Sequence, residues 1–71
     1  MIRNSVDVVN ALGGYHTLST ALKLHWRAVY NWTRPERRIP EEMRHHIAAV
    51  PGAEQAGVTM AVLASLPFNP K

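Results

Sequence analysis

Arg27 and Asn31, four residues apart, are the pair in this chain with the most specific chemistry. A guanidinium is a planar fork of donors that matches guanine O6 and N7, and a carboxamide pairs one donor and one acceptor with adenine N7 and N6. At i and i+4 of a helix the two stand one above the other. Arg34 extends that row, and Tyr30 lies beside it, a phenol able to donate to a phosphate or to pack on a thymine methyl. Trp26 is about a quarter turn away, placed either to wedge against sugar and thymine methyl groups or to cover the edge of a core. The candidate base-contacting set is therefore Trp26, Arg27, Tyr30 and Asn31. Lys23, His25, Thr33, Arg34, Arg37 and Arg38 are the candidate contacts to a phosphate backbone, which set register without reading sequence. For His25 the alternative is an exposed turn position.

Charge is concentrated in the same stretch. Between residues 23 and 38 five cations (Lys23, Arg27, Arg34, Arg37, Arg38) stand against the single acid Glu36, a local +4 in a protein whose total is +3. The rest of the chain is slightly acidic, so a polyanion would be met at this segment. A solvated basic face is the alternative for any such cluster taken alone.

A helix over Trp26–Thr33 would present these residues. Projected at about 100° per residue, Val29 and Trp32 mark its buried side, with Arg27, Asn31 and Arg34 opposite. It must stop near Arg34, because a residue before proline is pushed out of helical space and Pro35 follows. Gly14 serves as N-cap for a helix over Tyr15–Leu22, and Lys23-Leu24-His25 is the turn between the two. Leu18, Leu22, Leu24, Val29 and Trp32 are the five apolar positions expected between these helices, and Ser19 is the small residue at their closest approach.

An earlier helix spans Val6–Leu12. It is capped by Asn4 or Ser5, has Asp7 in its first turn and Val6, Val9 and Leu12 inward, and ends at Gly13. Downstream, Ile39-Pro40-Glu41-Glu42 opens a fourth helix with an inward stripe of Ile39, Met43, Ile47 and Val50. After Pro51-Gly52 the pattern fits either a helix interrupted at Gly57 or an extended segment before a shorter helix. The preferred form is a last helix capped by Thr59 and running to about Leu66, with a strand over Val58–Leu63 as the competitor. Residues 1–66 then form the domain, and PFNPK (67–71) a tail. Val62, Leu63, Leu66 and Phe68 would either meet a second copy or cover their own core.

Length and composition exclude several classes. With 71 residues there is room for one domain and one core, burying roughly 60% of the unfolded surface. There is no cysteine, hence no disulfide framework or thiolate site. No apolar run approaches the ~18 residues of a membrane span, and MIRNSVDVV lacks a secretory core, so an intracellular, cytoplasmic protein is expected. His45 and His46 are adjacent, so they point about 100° apart and lack zinc-helix spacing. Pairs Glu41–His45 and Glu42–His46 on the surface are the simpler expectation. Neither a metal, a cofactor nor a catalytic constellation is expected.

The pattern GG at 13–14, LSTALKL at 18–24, AVYNW at 28–32 and IPEE at 39–42 resembles that of small lambda-repressor/Cro-like repressors, and more closely the YdaS-type antitoxins within that group. The resemblance covers approximately residues 6–50. It implies an all-α, four- to five-helix helix-turn-helix domain that binds double-stranded DNA as a homodimer on paired half-sites, represses phage-related or toxin-antitoxin genes and is nucleoid-associated. It also implies that His25, Trp26, Arg27, Tyr30 and Asn31 face the major groove. Two positions depart from the pattern: Lys23 stands where Gly is usual, and His25 where Ser or Thr caps the helix. A left-handed lysine there costs about 1 kcal/mol relative to Gly. The rival expectation is a protein-interaction module that binds a toxin, a polymerase or another regulator through Trp26 and Tyr30.

Overall fold

The computed structural model describes residues 2–71. They form α1 (Ser5–Ala11), α2 (Tyr15–Leu22), α3 (Trp26–Trp32), α4 (Arg44–Ala48) and α5 (Met60–Ala64), with a 3-10 turn over Glu41–Met43 leading into α4. The protein is all-α, and no strand occurs among the described residues. At 58–63, where a strand competed, the Thr59 hydroxyl instead accepts from the Val62 N–H at 3.3 Å and starts α5. That helix stops at Ala64 rather than near Leu66. The Ser65 hydroxyl folds back onto the Val62 carbonyl at 3.0 Å, and Leu66 precedes a proline.

Asn4 caps α1, its side chain accepting from the Asp7 N–H at 3.2 Å, while the Asp7 carboxylate accepts from the Arg3 N–H at 2.8 Å. Ser5, Val8 and Val9 are the buried residues of α1; Leu12 is half-buried and packs against the core as expected, whereas Val6, also expected inward, is half-buried outside it. The buried Ser5 hydroxyl accepts from the Ile39 N–H at 2.9 Å and ties the start of α1 to the segment before α4. The turn after α1 needs glycine. Gly13 sits at φ +98°, and a Cβ there would come within 2.9 Å of the Thr17 methyl carbon.

Val8, Val9, Leu18, Val29, Trp32, Ile39, Ile47, Ala53, Val58, Leu63 and Leu66 form one core, against which α2 and α3 pack closely together. Met43 and Val50 lean on its edge as expected of their stripe. Leu24 departs from the expected five-residue seam: it follows a left-handed residue and is 37% exposed, while Leu22 is half-buried. Leu63 and Leu66 cover their own core, so they are not free to meet a second copy.

Residues 51–57 form consecutive turns and no regular helix. The Gly57 N–H reaches the Glu54 carbonyl at 3.0 Å and the Val58 N–H reaches Ala53 at 2.8 Å, which places Ala53 and Val58 in the core. The final segment, 67–71, has no regular structure, yet it is held against the loop that follows α3, as described below. No helix is long and apolar enough to cross a membrane.

Candidate nucleic-acid interface

Helix α3 is two-sided. Val29 and Trp32 are buried and Ala28 is half-buried, whereas Trp26, Arg27, Tyr30 and Asn31 are all exposed. The four candidate base contacts thus share one face, as two i, i+4 ridges: Trp26 with Tyr30, and Arg27 with Asn31. Arg34 is also exposed but lies beyond the helix end, which Thr33 caps.

The start of α3 is set by Lys23 and His25, the two positions expected to carry Gly and Ser or Thr. Lys23 adopts φ 57°, ψ 39°. Its N–H donates to the Thr20 carbonyl at 3.2 Å and the Leu24 N–H to the Ser19 carbonyl at 2.9 Å, the two bonds of a Schellman ending. His25 is itself the N-cap, its Nδ1 accepting from the Arg27 N–H at 3.2 Å. An imidazole accepting at Nδ1 carries its proton on Nε2 and so keeps one donor available. His25 therefore does the work of the usual Ser or Thr while remaining exposed.

A cluster of rings flanks this start. Trp26 lies 5.9 Å from Tyr15, 6.0 Å from Tyr30, 5.7 Å from His16 and 5.6 Å from His25, centroid to centroid, and Tyr15 lies 5.5 Å from Tyr30. The Arg27 guanidinium sits 5.6 Å from the Trp26 ring. Tyr15 and His16 were not candidates from sequence. The signal was present: Tyr15 opens α2 directly after the Gly14 cap, much as Trp26 opens α3 after His25.

The basic segment beyond α3 is braced by the end of the chain. Arg34-Pro35-Glu36-Arg37 is a turn closed by the Arg37 N–H on the Arg34 carbonyl at 3.2 Å, with Glu36 at φ 64°. Such a turn takes proline at its second position and usually glycine at its third. Asn69, 4% exposed, supplies the support. Its Nδ2 donates to the Trp32 carbonyl at 2.7 Å and the Arg34 carbonyl at 2.9 Å. Its backbone N–H donates to the Arg37 carbonyl at 2.8 Å, and its own carbonyl accepts from the Glu36 N–H at 3.1 Å. Phe68 lies under the Arg38 guanidinium at 4.3 Å, and Lys71 Nζ is 3.5 Å from the Glu36 carboxylate, the one acid of the basic window.

Lys23, Arg34, Arg37 and Arg38 are exposed around α3. Thr33 differs from the other phosphate candidates: the residue is half-buried and its hydroxyl donates to the Tyr30 carbonyl at 2.6 Å. His45, His46, Glu41 and Glu42 are exposed, and the expected Glu41–His45 and Glu42–His46 ion pairs do not close among the described residues. The 3-10 turn over Glu41–Met43 rotates the glutamates out of α-helical i, i+4 register with the histidines. Among the described residues no group of three or more His, Asp or Glu side chains could hold a metal ion. A shallow cleft of about 420 Å³ between α1, α2 and residues 50–52 is lined by Ala11, Leu12, Thr17, Ala21, Val50, Pro51 and Gly52, none of them titratable.

No protein-family model matches the chain. No curated protein and no solved structure matches it either.

Proposed function

We propose that this chain is a sequence-specific DNA-binding transcriptional regulator of the Cro-like helix-turn-helix kind, a repressor of phage-related or toxin-antitoxin type, with α2 and α3 as the paired helices and α3 inserted in the major groove. The observation that carries this reading is the exposed face of α3. It offers a guanidinium, a carboxamide and two aromatic rings, with exposed cations at both ends of the helix and no burial that would explain them as core. Arg27 and Asn31 would read purine edges, Trp26 and Tyr30 would complete the base contacts, and Lys23, His25, Arg34, Arg37 and Arg38 would grip phosphates. Thr33 would join them only by turning its hydroxyl from the Tyr30 carbonyl to donate, since a phosphate offers acceptors alone.

The molecule measures 30 × 25 × 20 Å. One copy offers a single reading helix and touches few bases, so useful specificity calls for a homodimer on paired half-sites with centres about 34 Å apart. Such a protein would act at the nucleoid, in the cytoplasm. The test is titration of the protein against duplex DNA from upstream of its own gene, with scrambled competitor, at several salt concentrations and with molar mass measured in parallel. Three to five phosphate contacts per copy predict a log–log salt slope of roughly −3 to −5. Equal competition by the scrambled duplex would refute sequence-specific regulation.

A second reading has its own support in the exposure of Leu24, Trp26 and Tyr30 together, since aromatic side chains dominate protein interfaces. Capture of a toxin, polymerase or other regulator, abolished by Trp26→Ala, with no duplex binding at low salt, would establish it instead.

A further inference from the structure

We infer that the Trp26–Tyr30 ridge is a site for the C5-methyl group of a pyrimidine, that of thymine in the first place, and that it makes thymine a favoured neighbour of the purines read by Arg27 and Asn31. The inference rests on the DNA-binding reading above and chooses, among the contacts open to these two rings, the methyl over phosphate, sugar and core. The ridge is apolar surface kept in water: Trp26 is 36% and Tyr30 44% exposed, while Val29 and Trp32 already close the core behind them. It is also held in place. Trp26 and Tyr30 meet edge to face at 6.0 Å, and Tyr15 packs against both at 5.9 and 5.5 Å. His16 and His25 add a ring on Trp26 at 5.7 and 5.6 Å. Rings braced by so many neighbours cannot fold away to make room for a ligand.

The floor of the major groove offers donors and acceptors at every base pair and a single apolar group, the C5-methyl of thymine. An aromatic edge pressed on N7, O6 or an amino group would strip water from a polar atom without replacing its hydrogen bond. Against a methyl the same edge gains by burial. With the two ridges about 100° apart around α3, the aromatic ridge and the Arg27–Asn31 ridge address neighbouring bases in one groove. 5-Methylcytosine presents the same methyl.

The test replaces each thymine of a bound duplex by deoxyuridine, which removes only the methyl, and in a second arm each cytosine by 5-methylcytosine. Loss of about three- to fourfold in affinity is expected for each contacted methyl, at one or two positions per half-site. Trp26→Ala should bind the thymine and deoxyuridine duplexes equally, whereas Tyr30→Phe, which keeps the ring, should retain the difference. Deoxyuridine silent everywhere but tighter binding to a 5-methylcytosine duplex would support the methyl site with the other pyrimidine as its source. Specific duplex binding that is indifferent to both replacements would overturn the methyl site and leave the DNA-binding reading standing. Absence of any duplex binding would overturn both.

Discussion

The two flanks of α3 solve the same problem by different means. Each carries cations, and each is shaped by a residue other than glycine at positive φ, Lys23 before the helix and Glu36 after it; they are the two such residues among those described. Left-handed backbone costs an L-residue roughly 1–2 kcal/mol, and such strain clusters where function places side chains. Before α3 the cost is met locally, by two backbone bonds of the Schellman ending and by the His25 cap. After α3 it is met from a distance, by residues 68–71. The two flanks of one helix thus differ in what they depend on: the N-terminal flank on neighbours within five residues, the C-terminal flank on the last four residues of the chain.

The sharpest way to break this contrast is at Asn69. Asn69→Asp is nearly isosteric but replaces the two side-chain donors by a carboxylate facing the Trp32 and Arg34 carbonyls. Asn69→Ala removes the group altogether. Either should cost about 2–3 kcal/mol, lowering Tm by more than about 10 °C in thermal unfolding. A wild-type Tm for Asn69→Asp would show that the loop does not depend on the chain end. The local flank should yield less. His25→Ala removes the cap of α3 and should cost about 1 kcal/mol, whereas His25→Ser, which keeps an acceptor, should stay within a few tenths.

Lys23→Gly acts in the opposite direction. It relieves the left-handed penalty and should stabilise the fold by about 1 kcal/mol, while its lost cation lowers the magnitude of the DNA salt slope by about one. A destabilised Lys23→Gly would contradict the positive-φ assignment. The smallest effect belongs to the exposed Glu36–Lys71 pair: Lys71→Ala should change stability by less than about 0.5 kcal/mol.

The contrast between the flanks also explains what was legible in the sequence. The ends of α2 and α3, the Thr59 cap, the choice of Asn4 or Ser5 as cap of α1 and the shared face of Trp26, Arg27, Tyr30 and Asn31 follow from spacing, capping chemistry and a 3.6-residue period, which act within one or two turns of chain, whereas the left-handed Lys23 follows only from the resemblance. Leu24 differs from its expected place because the helix-turn-helix pattern assigns an apolar turn residue to the seam, whereas here the residue directly after the left-handed Lys23 turns outward. Asn69 gave no local sign of its role, its partners Trp32 and Arg34 lying 37 and 35 residues away. PFNPK reads as a tail on composition, and only the packed structure makes it a brace. The turns at 51–57 escaped for a related reason: their alanines and glycines favour no single local form, and burial of Ala53 and Val58 decides it.

That α3 reads DNA through its exposed polar ridge is tested most directly by the Arg27→Ala/Asn31→Ala double variant. Its affinity for a duplex enriched from a random pool by the wild-type protein should be compared with that for a scrambled duplex, at one salt concentration and with folding checked by Tm. Both residues are exposed, so the variant should melt as wild type does. Each bidentate contact is worth about 1–3 kcal/mol of discrimination, so the preference for the enriched duplex should fall by at least about fivefold per residue while scrambled DNA is still bound. Discrimination unchanged in the double variant, or a wild-type protein from which no preferred duplex emerges, would contradict base reading by α3.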